Sequence, residues 1–385
     1  MLNRDEREEA IGGRTGCIID IETTLVDLPF VRLQRFARFE TRTQSTLMIR
    51  IRDSLGQEGI GETVVPGGPW WSGDSIESLK SLIDIHLAPA VIGLDPSKIS
   101  VILMVLQKTA PGANFAIAGI EMACLDLYAR ALDVPVSSLF GGQLHEEIPT
   151  VWPLASGNHE TDLTEIGEKL ETGKSSGFKI KLGRLSLEED IDRVALLTDA
   201  IAGRGRVILD PNEVWDETQA HHALVRLGRL SIDLIEQPVS RYQPEALAAL
   251  SRSTPVPLMV DEGACTPEQV FRLAKMRAAQ VLSLKLMKAG GLTQSRKMAD
   301  IASAAGMLLY MGTFLETSLG TAAGLHIAST FPHLRFGSEL FGPQLLAVDV
   351  TQSPIEYVNG CARVPAGPGL GVSIDEDVVR EYKRR

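Results

Sequence analysis

From about residue 145 onward the chain repeats one unit: a short apolar run, a polar or charged residue, then a helical pattern. The runs are Val151 to Ala155, Phe178 to Leu182, Val207 to Leu209, Ile232 to Ile235, Leu258 to Val260, Val281 to Leu286, Met307 to Tyr310, and a weaker one at Leu334-Arg335-Phe336. Successive starts lie 23 to 29 residues apart, which is one strand and one helix. Eight such units predict a closed parallel α/β barrel of the TIM type. Helix starts agree: Thr266-Pro267-Glu268-Gln269 and Ser186 with Glu189 are capping boxes. An open doubly wound sheet would want a Gly-rich turn after a strand, and Gly203-Arg204-Gly205 precedes one instead.

The first 130 residues follow another rhythm. Extended runs at Cys17 to Leu28 and Thr46 to Arg52, broken by Asp53-Ser54-Leu55-Gly56, precede helical patterns at 75–93 and 114–133. Strands followed by helices indicate an α+β domain. Beyond residue 345 the chain turns Pro/Gly-rich. The expected division is 1–135 for the α+β domain, 136–355 for the barrel, and 356–385 for a segment returning to the first domain.

Hydrophobic residues make up 44% of the 385, enough for a large core, so disorder is excluded. A net charge of −11 lacks the basic footprint of a nucleic-acid binder. Cys17, Cys124, Cys265 and Cys361 are too far apart for a metal knuckle or a disulfide scaffold, so reduced thiols and a cytoplasmic location are expected. Met1 to Arg7 is too charged for a signal peptide. No apolar run is long enough to span a membrane.

Barrel function collects at the carboxyl ends of the strands. Those ends carry Lys179-Ile180-Lys181, Asp210-Pro211-Asn212, Glu236-Gln237-Pro238, Asp261-Glu262, Ser283-Leu284-Lys285 and Glu339. One acid at a strand end can be a plain polar cap. Asp210, Glu236 and Asp261 on consecutive strands are costly together unless a cation compensates them, and a hard divalent metal such as Mg2+ does so. Asn212 and Glu262 could be further ligands or support these ligands from behind, the second being the preferred reading. Lys179 and Lys181 share one side of their strand, and Lys285 comes from across the ring. Salt bridges to the acids are one reading of the lysines; acid–base chemistry on the two faces of a metal-bound carboxylate is the other. A carboxylate α-proton has a pKa of roughly 30, so a lone lysine would face a mismatch on the order of 25 kcal/mol. The metal must therefore stabilise the enediolate.

Other features say less. His159, His221, His222, His326 and His333 fall on helices or connections, where structural or surface roles are expected. Gly290-Gly291 could cradle a substrate carboxylate or simply end a strand. Pro66-Gly67-Gly68-Pro69-Trp70-Trp71 suits an active-site lid or an interdomain contact.

These motifs resemble the enolase superfamily and, within it, the muconate lactonising subgroup, over nearly the full length. Further matching stretches are Ile21 to Pro29, Gly59-Ile60-Gly61-Glu62, Leu154-Ala155-Ser156-Gly157, Asp233 to Pro238 and Gly337 to Pro343. The resemblance implies a modified TIM barrel, (β/α)7β-like, with an N-terminal α+β capping domain. It implies Mn2+ or Mg2+ on Asp210, Glu236 and Asp261, and reversible lactonisation of cis,cis-muconate, or a substituted muconate, in aromatic catabolism. It also implies Lys181 as the group that moves the α-proton, Lys179 assisting, Lys285 supporting the enolate from the opposite side, and an octamer. Glu339 and Phe341 correspond to residues around the substrate, a small dicarboxylate, and Pro66, Trp71 and Ser283 join them. Ser283 resembles the chloromuconate enzymes and Phe341 the unsubstituted-substrate branch. The rival activity is a racemase or epimerase of N-acylated amino acids or dipeptides, using Lys181 and Lys285 as two bases. A reading of another class is a catalytically silent, metal-stabilised scaffold.

Overall fold

The computed structural model describes residues 14–36 and 39–384; the charged opening, Met1 to Arg7, lies outside them. Strands β1 (Ile18–Arg35), β2 (Glu40–Asp53) and β3 (Glu58–Val64) form an antiparallel sheet. The break at Asp53 is a turn in which the buried Asp53 carboxylate accepts bonds from the Leu55 and Gln57 amides, both at 2.9 Å. Helices α1 (Ile76–Leu82), α2 (Ile99–Thr109) and α3 (Asn114–Ala131) complete this cap. The apolar α3 lies against β3 because Gly61 has no side chain there: a Cβ would run into the Gly119 carbonyl.

The short β4 (Glu147–Pro149) leads into a parallel sheet of β5 (Val151–Leu154), β6 (Gly177–Lys181), β7 (Arg206–Asp210), β8 (Leu234–Glu236), β9 (Leu258–Val260), β10 (Val281–Leu284) and β11 (Leu308–Met311), paired in chain order. Between them run α4 (His159–Thr172), α5 (Leu187–Ile201), α6 (Glu217–Leu227), α7 (Pro244–Ser253), α8 (Pro267–Met276) and α9 (Leu292–Ala304), followed after β11 by α10 (Ser318–Ala328). The capping boxes at Ser186 and Thr266 are formed as expected.

The eighth strand expected at Leu334-Arg335-Phe336 does not form. The Gly337 amide closes a turn on the Leu334 carbonyl, with Gly337 at φ +81°. Ser338 alone then bridges in parallel to Met311 on one side and to Thr150 on the other. The ring is closed through one residue, which makes the barrel (β/α)7β-like. Val151, Ile208, Leu234, Met259, Val281, Tyr310 and Phe336 fill its interior.

After the barrel, β12 (Tyr357–Val358) pairs with β13 (Cys361–Arg363), which in turn pairs with β4. The final helix, α11 (Glu376–Tyr382), reaches the cap, where Lys383 bridges to Val26 and Arg384 binds Asp27. No described helix is long and apolar enough to cross a membrane, and the four cysteines are unpaired.

Candidate active site

Parallel strands all present the same end, so β6 to β10 deliver their terminal side chains to one rim beneath the cap. Asp210, Glu236 and Asp261 stand there on adjacent strands, each almost fully buried. Lys179 pairs with Glu236 and Glu339 and lies 3.2 Å from Asp210. Lys181 Nζ is 2.5 Å from Asp210 Oδ2 and 5.5 Å from the centre of the Phe36 ring. Lys285 Nζ is 2.5 Å from Asp261 Oδ2 and packs over Trp71 and Phe314, at 4.7 and 5.0 Å. In the ring completed by Ser338, the strands bearing Lys181 and Lys285 are four positions apart. They face each other across the site.

Burial would raise Asp210, but the charges of Lys179 and Lys181 hold it at about 2. Against the same burial penalty, Lys285 and Lys288 hold Asp261 far below the usual carboxylate range. Burial pushes Glu236 well up, despite Lys179. It also pushes Glu262 up to about 8, helped by the charges of Asp261 and Asp210. Although burial opposes it, the surrounding acids raise Lys179 well above an ordinary lysine.

The acids and lysines form a paired network, and among the described residues no three metal-ligating side chains gather tightly enough to chelate an ion as they stand. Glu236 Oε1 nevertheless lacks a hydrogen-bond donor, as does Glu262 Oε2, and Glu236 Oε2 faces only the Lys179 ammonium. A set of buried, all-oxygen donors suits a hard divalent cation, so the residues fit such a group chemically. Asn212 donates to Glu262 Oε1 at 3.1 Å, and its own amide donates to Asp210 Oδ1 at 3.0 Å.

Pro66, Trp71, Glu339 and Phe341 line the cavity together with Lys181, Lys285 and Asn212. Ser283 does not. Sharing one side of its strand with Lys285 but one step deeper, it is buried beneath that lysine, its hydroxyl unpartnered. Gly290 and Gly291 make room for the cap rather than for a substrate: their hydrogen positions face Asn114 and Glu121. His326 is buried in α10, and burial lowers it to about 4.

Several residues of the site escaped the sequence reading. Gln237 Oε1 accepts from the Asp261 and Gly263 amides, at 3.0 and 3.1 Å, and so fixes the loop carrying Asp261. Lys288 donates to Asp261 Oδ1 at 2.6 Å and to its carbonyl at 2.5 Å. Tyr310 is fully buried on β11 with its hydroxyl unpartnered. Gln237 adjoins Glu236 and Lys288 follows Lys285 by three residues, so spacing alone points to both.

A capped parallel ring with acids on neighbouring strands and lysines on either side is the architecture of an enolase-type enzyme. Residues 20–141 match the mandelate racemase / muconate lactonizing enzyme N-terminal domain, and 164–378 match the enolase C-terminal domain-like family. The chain belongs to the enolase superfamily and, within it, to the muconate lactonising (cycloisomerase) subgroup. It is 41% identical to a chloromuconate cycloisomerase of Cupriavidus pinatubonensis over 94% of this chain and 97% of that one. It is 40% identical to muconate cycloisomerase 1 of Pseudomonas putida, over 95% and 98%. Among solved structures, a muconate lactonizing enzyme from Pseudomonas fluorescens complexed with muconolactone superposes with a TM-score of 0.95 at 38% identity. That match covers 96% of this chain and 100% of the other.

Proposed function

We propose that this isomerase interconverts cis,cis-muconate, or a muconate bearing a ring-derived substituent, and the corresponding muconolactone. The observation that carries the reading is the pair Lys181 and Lys285, opposite each other in the ring and lining one cavity above three buried acids. One carboxylate of the substrate adds through oxygen across the conjugated double bond, forming the ring C–O bond. Electron density moves to the α-carbon of the other carboxylate, and Lys181 delivers a proton to that carbon. In reverse Lys181 removes the proton and the C–O bond breaks. No oxidant or reductant is consumed. Lys285 supports the developing negative charge from the far side, and Lys179 holds Glu236 and Glu339 in place. A divalent cation, Mn2+ or Mg2+, held by Asp210, Glu236 and Asp261 would neutralise charge as it develops on the carboxylate. Proximity within one substrate supplies further acceleration.

The test is the ultraviolet loss of cis,cis-muconate with and without Mn2+, run beside chloro- and methyl-muconates. Absence of turnover on all of them would sink the reading. Deuterium separates it from racemisation or epimerisation of acyl-amino acids: a cycloisomerase labels its lactone on one face, a two-base epimerase exchanges at both. By family resemblance we further infer a cytoplasmic homo-oligomer, an octamer.

A further inference from the structure

Trp71 is the wall between two spaces. On its inner side the catalytic cavity has a volume of about 30 Å³. On its outer side lies an open cleft of about 590 Å³, bounded by Glu213, Arg241, Tyr242 and Asn114. The segment carrying Trp71 separates the two, so passage between cleft and cavity requires it to swing. What holds it down determines when that happens.

The grip on this segment comes from the barrel rim. Arg241 Nη1 donates to the Trp71 carbonyl at 3.0 Å, and the guanidinium lies 5.3 Å from the indole centre. Arg241 is itself clamped by Glu213: Nη2 donates to Oε2 at 2.7 Å, Nε to Oε1 at 3.0 Å, and the Arg241 amide to Oε1 at 2.6 Å. Glu213 is buried and adopts a left-handed φ of +66° three residues past Asp210. A non-glycine residue is strained there, and such strain persists only where its surroundings impose it. Arg241 follows Glu236 by five residues, so one ion pair ties two acid-bearing loops to the lid. Held in this way, the Trp71 ring meets Phe314 edge-on, with centres 4.6 Å apart at 82°, and covers Lys285.

We propose that Glu213 and Arg241 are a positioning pair that clasps the 66–73 lid shut and, through Trp71, retains the bound dicarboxylate against Lys285. Neither residue lies among the groups assigned to proton transfer or metal binding. This inference rests on the muconate reading of the cavity. The planar fork of Arg241 meets both oxygens of Glu213 and the Trp71 carbonyl at once, a bidentate geometry that a lysine's single ammonium does not reproduce.

The experiment compares wild type, R241M and R241K by steady-state kinetics on muconate with Mn2+, and by amide hydrogen exchange at residues 70–73 without substrate. Loss of the clasp is expected to raise KM by about tenfold or more, the effect of one charged hydrogen bond, with kcat reduced far less. Exchange at 70–73 is expected to speed up by a similar factor while the barrel strands stay protected, and R241K is expected not to rescue either. Unchanged exchange at 70–73 in a folded R241M, or a lost kcat at unchanged KM, would overturn the proposal. Should R241M fail to fold, E213Q carries the same two measurements with the shape retained and the charge removed. If wild type leaves muconate untouched, the functional reading fails while the exchange comparison still decides whether the clasp exists.

Discussion

Glu62, on cap strand β3, accepts hydrogen bonds from the backbone amides of Thr317 and Gly320, each at 2.9 Å. A cap carboxylate thus closes the N-terminus of a barrel helix, a position that favours negative charge. Glu121 of α3 does the same beside α9, accepting from the Thr293 amide at 3.1 Å. Burial pushes both carboxyls up to about 7, from an ordinary 4.5.

The sign of the pH dependence follows. Between about pH 4.5 and 7 the folded protein keeps these protons and the unfolded chain has released them, so stability falls as pH rises, by about 3 kcal/mol per group. E62Q is expected to flatten that fall. Thermal melting of both proteins across this window checks it; an unaltered slope in E62Q would show that Glu62 does not titrate there.

Lys181→Met is expected to abolish turnover by at least about a hundredfold while leaving Mn2+ affinity intact, since general acid–base groups contribute on that scale. Steady-state rates and calorimetric Mn2+ titration check it. Residual activity above about a tenth of wild type would remove Lys181 from the proton-moving role.

Chelation of divalent metal is expected to end turnover without unfolding the protein. Asp210, Glu236 and Asp261 each have a lysine partner, so none is left as an isolated buried charge. Activity and far-ultraviolet circular dichroism before and after chelation, then after added Mn2+, test this directly. Collapse of the dichroism signal would make the ion structural instead.

Gln237→Ala strips the Asp261 and Gly263 amides of their shared acceptor. Buried donors left unsatisfied cost about 1–3 kcal/mol each. A lower denaturation midpoint and weaker Mn2+ binding are both expected, because the Asp261 loop loses its anchor. Wild-type metal affinity in a destabilised Q237A would show that Asp261 is held by its lysines alone.

Gly291→Ala should destabilise by about 2 kcal/mol or more. Gly291 has φ +113°, and a Cβ there would collide with the Glu121 carboxylate. Chemical denaturation measures it, and a neutral result would mean that the cap can retreat from α9 at little cost.

Much of this architecture was readable in advance because strand period and helix caps are local. Leu258 to Val260 coincides with β9, and the acids at 210, 236 and 261 recur at the length of one unit. What escaped depends on contacts between distant segments. The pairing of Arg241 with the Trp71 carbonyl spans 170 residues, and that of Glu62 with Thr317 spans 255; no periodicity encodes either. Ser283 sits beneath Lys285 rather than on the cavity wall, because alternation along a strand tells which side a residue faces, not how deep it lies. The weak run at Leu334 to Phe336 failed as a strand because Gly337 bends the chain into a turn directly behind it.

The single stitch at Ser338 gives the barrel a seam. Its neighbours on both sides are held by one residue's bridges, whereas the other staves share continuous ladders. Glu339, the next residue along, faces the cavity shared by Lys181 and Lys285 and contacts Lys179. A slip of the seam by one peptide would therefore carry a charge out of the site, so the weakest joint of the scaffold and the setting of its chemistry are one mechanical part.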